Sequence, residues 1–251
     1  MFKNKIMKDR IPFWVLELAH KVAKIPYAKK LIKPFYYPYK KRVENRRNQN
    51  FKKYALEALS IFDKCMIEND FKYTLAFGSL LGAVREKGFI SHDLDMDIMI
   101  PMDERTSLFE EVLKKNGFKL SHRFSIDDGT LGCEECYLYK DTGVSIDIFY
   151  IYPTIDNYPY ICCWKLFPGC VTWRESVKKH GGLIPKRIEI PVTDKIIRSK
   201  FESIEVNVPE NYNGILEVFY GKNYMTPDPN YVPPTEHRYI WTEKLAKYEQ
   251  F

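Results

Sequence analysis

Long apolar runs are missing from this 251-residue chain, and so is a secretory leader with a small-residue cleavage site. The best N-terminal candidate, residues 11–19, is short and contains Glu17, far from the roughly 18 apolar residues in a row that a membrane-spanning helix needs. Cysteine is sparse. Six residues (Cys65, Cys133, Cys136, Cys162, Cys163 and Cys170) are too few at this length for a disulfide scaffold, and we read them as reduced thiols of a cytoplasmic protein. Internal repeats are absent as well. Acids are nearly absent from the first 53 residues, which hold 3 Asp/Glu against 16 Lys/Arg. That stretch carries +13, while the remaining residues carry −7. An acidic body with no nucleic-acid-binding module argues against nucleic acid as a partner. What the chain does have is 45% apolar residues, enough to bury a core, which excludes a disordered or collagen-like polymer.

The basic arm, taken as residues 1–50, interleaves its charges with Trp14, Leu16, Leu18, Phe35, Tyr36, Tyr37 and Tyr39. That mixture suits a segment lying on an anionic membrane surface, peripheral on its inner face; a solvated basic extension, or a helix packed on the body, is the plain alternative. Pro12, Pro26, Pro34 and Pro38 predict short pieces here rather than one long helix.

The body, 51–251, opens with a helical stripe through Ala55, Leu59, Phe62 and Met66, ending near residue 69. Strand patterns follow at 73–77, 95–100, 118–126, 133–140, 144–152 and 204–208. Helices are expected at 79–86, from an Asp103 cap to Gly117, and at 212–220 before Gly221. The order predicts an α/β (α+β) fold, a mixed sheet flanked by helices, with irregular segments at 153–190 and 226–240.

Chemistry concentrates in three places. In Asp95-Met96-Asp97-Ile98-Met99-Ile100 the two acids share one face of a strand, and adjacent carboxylates repel unless a cation neutralises them. Mg²⁺ favours one or two carboxylates plus substrate phosphates. Upstream, Gly78-Ser79 turns a strand into a helix, where backbone N–H groups and the helix N-terminus attract phosphate. Asp147 stands in the apolar run Val144-Ser145-Ile146-Asp147-Ile148-Phe149, where an acid needs a partner and a metal is a natural one. Cys133-Glu134-Glu135-Cys136 has half-zinc-site spacing, but two strand residues three apart face opposite ways, so a packing role is the expectation.

A Gly-Ser turn, D-x-D and a buried strand Asp resemble the arrangement of polymerase-β-type nucleotidyltransferases. More specifically, Phe77-Gly78-Ser79-Leu80-Leu81-Gly82-Ala83-Val84-Arg85, then Lys87-Gly88-Phe89-Ile90 and His92-Asp93-Leu94-Asp95-Met96-Asp97, resemble the signature of the LicD and fukutin-related phosphotransferases. Val206-Asn207-Val208-Pro209 and the segment 216–225 resemble that family's closing motifs. His92 replaces the usual Trp and Leu94 the middle acid of a triple. His92 faces the acceptor or, as the stronger expectation, merely fills the space of that Trp.

The resemblance implies a nucleotidyltransferase-like fold and transfer of a phosphorylated alcohol (phosphocholine, ribitol phosphate, glycerol phosphate) from a CDP-activated donor to a hydroxyl of a glycan or lipid-linked sugar acceptor, releasing CMP. On that reading Asp95 and Asp97 hold Mg²⁺ or Mn²⁺, and Asp147 completes the metal site or takes the acceptor's proton. Gly78 and Ser79 hold phosphate, Arg85 clamps it or serves a salt bridge, and Asp93 contacts a ligand or caps. Lys87 and His237 are weaker candidates for substrate contact. A nucleotidyltransferase releasing pyrophosphate and a non-catalytic membrane-associated scaffold are the competing functions.

Overall fold

A computed structural model describes residues 11–251 except 24, 26–27, 154–157, 229, 233, 235–237 and 241. The expected substrate contact His237 lies outside the described residues. Among the described residues two helices come first, α1 (Phe13–Ala23) and α2 (Ala28–Glu68). α2 is one 41-residue helix with Pro34 and Pro38 inside it, which corrects the expectation of short pieces. The two prolines stand four apart, so the donors they remove lie along one side of the helix and its remaining ladder can run on.

A six-stranded sheet in the order β1-β2-β5-β4-β3-β11 forms the centre, from β1 (Thr74–Leu75), β2 (Met96–Pro101), β3 (Phe118–Ile126), β4 (Gly132–Tyr139), β5 (Val144–Ile151) and β11 (Lys247–Gln250). β2 and β5 run parallel and the other pairs are antiparallel, so the sheet is mixed as expected. One face is core. Met96, Ile98, Ile146, Ile148, Tyr137 and Leu120 are buried there, and α2 lays Phe62 edge-on against Tyr73 and Phe118. α4 (Ser107–Lys115) adds Phe109, Val112 and Leu113. Its cap is Thr106, whose side chain accepts the Phe109 N–H at 3.2 Å; Asp103, the expected cap, sits in the preceding 3-10 turn Met102–Glu104. The local competitor was one turn away, and Thr is also among the residues favoured in that role.

The opposite face is covered by α3 (Phe77–Arg85) and by the stretch read from sequence as irregular. That stretch holds β6 (Tyr160–Lys165), α5 (Trp173–His180) and β7 (Ile184–Glu189), with β10 (Arg238–Tyr239) completing a small β10-β7-β6 sheet. α5 is fixed at both ends. Thr172 accepts the Glu175 N–H at 3.1 Å while Glu175 accepts the Val171 N–H at 3.1 Å, and Gly181 closes the helix at φ 85°. The hairpin β8 (Ile196–Phe201) and β9 (Ile204–Pro209) leads into α6 (Tyr212–Tyr220), which ends at Gly221. Among the described residues no helix is long and apolar enough to cross a membrane.

Candidate active site

Register builds the site before any side chain is considered. Parallel pairing sets Asp97 on β2 opposite Asp147 on β5, and the row continues through Cys136 on β4 to His122 on β3. Two residues along, the next row reads Met99, Phe149, Glu134, Phe124 and Tyr248. Residues in register or two apart share a face, so this side of the sheet gathers three acids among aromatic rings. A register shift between Leu120 and His122 changes the phase of β3, so that Leu120 stays with the core while His122 and Phe124 join the site face.

α3 closes over the edge of this face. Phe77 starts it at φ 36°, held by stacking on Phe219 of α6 with ring centroids 4.1 Å apart and by an edge contact with Phe149. The Gly78 N–H donates to Asp97 Oδ2 at 3.2 Å, and the buried Ser79 hydroxyl accepts the Asp97 N–H at 3.0 Å. Gly78 and Ser79, expected to hold phosphate, thus grip Asp97: the unsatisfied donors of a helix N-terminus take the nearest carboxylate. A Cβ on Gly78 would stand 3.3 Å from Asp93 Oδ2 and 3.5 Å from Asp97 Oδ2, so the missing side chain is what lets two acids close on the helix start.

Like charges dominate the electrostatics. Burial, then the charges of Asp95, Asp147 and Asp93, push the Asp97 carboxyl well above its ordinary range, with the Gly78 N–H acting the other way. Burial pushes Asp93 up to about 6, with help from Asp95 and against His92 and Arg85. Glu134 is raised by burial and then by Asp147 and Asp95. The Trp164 indole N–H lies near enough to lower it without making a regular hydrogen bond. Tyr220 on α6 is raised by burial and then by the charge of Asp97.

Asp97 and Glu134 sit in a cavity of about 380 Å³ walled by Phe77, Phe149, Phe124, Trp164 and Trp173. Among the described residues no three His, Cys, Asp or Glu side chains come together as a finished metal site. The donors nevertheless fit a divalent cation in kind: they are hard carboxylate oxygens whose mutual repulsion and enclosure a cation would relieve. Cys133 and Cys136 lie within one uninterrupted strand, and all six cysteines are free thiols.

The remaining candidates lie around this centre. Arg85 donates to Glu86 Oε1 at 2.9 Å and to the Tyr224 carbonyl at 3.3 Å, tying the end of α3 to the chain after α6, while its charge still reaches Asp93. Lys87 is an exposed turn residue at φ 58° whose carbonyl accepts the Glu202 N–H at 2.6 Å, and it does not line the cavity. His92 is exposed. Glu134, Tyr220, Trp164 and Trp173 were not singled out from sequence. For Glu134 a signal existed, since two consecutive acids inside the otherwise apolar β4 require two different explanations.

The nucleotidyltransferase-domain model described as LicD/FKTN/FKRP matches residues 70–211, which include Gly78 through Asp97, Glu134 and Asp147. The chain belongs to this family. It is 26% identical to the mouse ribitol-5-phosphate transferase FKTN over 177 residues, 70% of this chain and 34% of that protein, and 25% identical to the human protein over the same share. A Caenorhabditis elegans protein, W02B3.4, is 33% identical over 105 residues, 40% of this chain and 26% of that one. The aligned region thus spans about a third or less of these relatives' own length.

Proposed function

We propose that the protein transfers a phosphorylated alcohol from a CDP-linked donor to a sugar hydroxyl of a glycan or lipid-linked precursor, releasing CMP. The observation that carries this is the continuity of the acid row with the aromatic cavity, since Asp97 belongs to both. A diphosphate over the acids leaves its terminal alcohol in the cavity. The acceptor oxygen attacks the phosphorus bearing the alcohol, the bond from that phosphorus to the bridging oxygen breaks, and CMP departs with the electron pair. Asp147 takes the hydroxyl proton.

Asp95 and Asp97 would hold Mg²⁺ or Mn²⁺, which when bound offsets the negative charge of the diphosphate and of the leaving CMP. Asp93 supports that pair from beside Gly78, and Gly78 and Ser79 keep Asp97 aimed. Among alcohols, a cationic one such as choline suits a cavity that sets Glu134 among five aromatic rings, because a quaternary ammonium is attracted both to a carboxylate and to ring faces. A neutral polyol, as in the printed name of the mouse and human relatives, is the alternative.

The test is CMP release from CDP-choline, CDP-ethanolamine, CDP-glycerol and CDP-ribitol with Mg²⁺ or Mn²⁺, comparing wild type with Asp97→Asn. Metal-dependent release from one donor, lost in the variant, supports the proposal. Pyrophosphate release from a nucleoside triphosphate would replace it with nucleotidyl transfer, and silence in a folded protein that binds no CDP would leave the scaffold function.

A further inference from the structure

Among the described residues, α1 and α2 carry large apolar side chains that are exposed. Trp14 is 66% exposed and Leu18 51%, one turn apart on α1, and Phe35 is 79% exposed on α2 with Tyr39 one turn further on. Such residues are ordinary when scattered, but here they stand within two helices packed on one another and are accompanied by the exposed Ile25 and Tyr37. Basic residues flank them. Lys21 continues the outer stripe of α1, and Arg42 and Arg46 continue the stripe of Phe35 and Tyr39 along α2, where a polar hollow is lined by Lys41, Arg42, Arg46, Asn45 and Gln49.

Both described acids of this region are engaged, one of them by a base of α2 itself. Glu17 accepts the Thr172 hydroxyl at 3.0 Å, and Glu44 pairs with Lys40 at 3.5 Å. The Glu17 bond also docks α1 onto the cap of α5, the helix that brings Trp173 to the cavity wall.

We infer that these two helices form a docking surface for an anionic lipid bilayer, with Trp14, Leu18 and Phe35 entering the headgroup boundary and Lys41 and Arg42 binding lipid phosphates. Charge selects this occupant. A stretch carrying +13 beside exposed Trp and Phe complements a negatively charged interface, whereas a second copy of the same face would bring like charge against like. Because α1 is fixed to α5, the bilayer would lie beside the elements that wall the cavity.

Sedimentation of the full chain with vesicles tests this without any substrate, and so independently of the proposed transfer. Binding to vesicles of phosphatidylcholine with 30% phosphatidylglycerol should exceed binding to pure phosphatidylcholine by at least roughly tenfold and should weaken with salt. Two variants at exposed positions, Trp14→Ala/Leu18→Ala/Phe35→Ala and Lys41→Glu/Arg42→Glu, should each lose about tenfold or more while circular dichroism and melting stay as in wild type. Equal binding to both vesicle types, or unchanged binding in both variants, would overturn the inference. So would light scattering that finds a wild-type dimer dissociated by the apolar variant with vesicle binding intact, since the face would then join two copies of the chain.

Discussion

Replacing Glu135 by Gln should destabilise the fold by about 3 kcal/mol, at the lower end of what is lost when one partner of a buried ion pair is removed. Glu135 is 2% exposed on the core face of β4. One carboxylate oxygen accepts Arg105 Nε at 3.1 Å and Arg123 Nε at 2.7 Å, and the other accepts the Tyr137 hydroxyl at 3.0 Å and the Tyr150 hydroxyl at 2.7 Å. Gln keeps the shape, and its amide can be met by phenol oxygens that rotate to accept, so the loss is chiefly one of charge facing two guanidiniums. Arg105 and Arg123 retain some contact with solvent, and Arg123 also reaches Glu249, which keeps the cost near the low end.

For a chain of this size about 3 kcal/mol corresponds to a fall in Tm of roughly 6–12 °C. The pH dependence gives a second readout. Burial would raise the Glu135 carboxyl, but Tyr150, Arg105 and Arg123 outweigh it and hold it below the ordinary value. A carboxyl depressed in the folded state contributes stability above its unfolded pKa of about 4.3 and loses it as pH falls through the folded value. The gap between wild type and Glu135→Gln in urea or thermal melts should therefore be constant from about pH 8 to 6 and close below about pH 4. A gap under about 1 kcal/mol at pH 7, or one that does not narrow in acid, would refute the claim that charge pairing holds this cluster.

Gly82→Ala should cost about 1–3 kcal/mol, read as a lowered urea midpoint, because a Cβ there would meet the Gly88 carbonyl at 2.4 Å and neither backbone can yield freely. Asp97→Asn should melt close to wild type yet lose at least about a hundredfold in turnover, since an amide can still accept the Gly78 N–H but cannot act as an anionic ligand; comparable turnover would remove Asp97 from the site. Glu134→Gln should raise the KM for CDP-choline by roughly tenfold while leaving that for CDP-ribitol little changed, and an equal effect on both would remove Glu134 from alcohol selection. Thr172→Ala should lower stability by about 1 kcal/mol by uncapping α5 and releasing Glu17, measurable by chemical denaturation.

Elements with a clean local signature were legible in the sequence. The β3 range 118–126 and the α6 range 212–220 coincide with the structure because alternation and a terminal Gly are properties of a few neighbouring residues. That Asp97 and Asp147 each stand in an apolar strand was legible, whereas the parallel register that sets them opposite one another depends on how the whole sheet assembles. β6, α5 and β7 were not legible, because Pro168, Gly169, Gly181 and Gly182 break the pattern into pieces too short for periodicity to speak. Those pieces supply Trp164 and Trp173, so the cavity was invisible even where its acids were not. The unbroken course of α2 through Pro34 and Pro38 was hidden for another reason: each Pro opposes a helix locally, whereas the remaining ladder of a 41-residue helix outweighs two missing donors.

Glu134 and Glu135 show why strand phase, rather than residue type, separates a binding group from a structural one. They are neighbours on β4, and the pleat sends them to opposite faces. Glu135 meets two arginines and two phenols, and its charge is held more firmly than in water. Glu134 meets Asp147, Asp95 and aromatic walls, and its charge is resisted. A one-residue slip of β4 would turn both acids to the wrong face, taking Glu134 off the cavity wall and carrying Glu135 away from Arg105 and Arg123 to the side where the other acids repel it. The Glu135 cluster joins β3, β4, β5 and the turn after β2, so the contacts that stabilise the core face also fix the register that aims Glu134 at the cavity. Loss of Glu135 should then blur donor selectivity at temperatures where the protein is still folded, whereas loss of Glu134 should change selectivity and leave the melt alone.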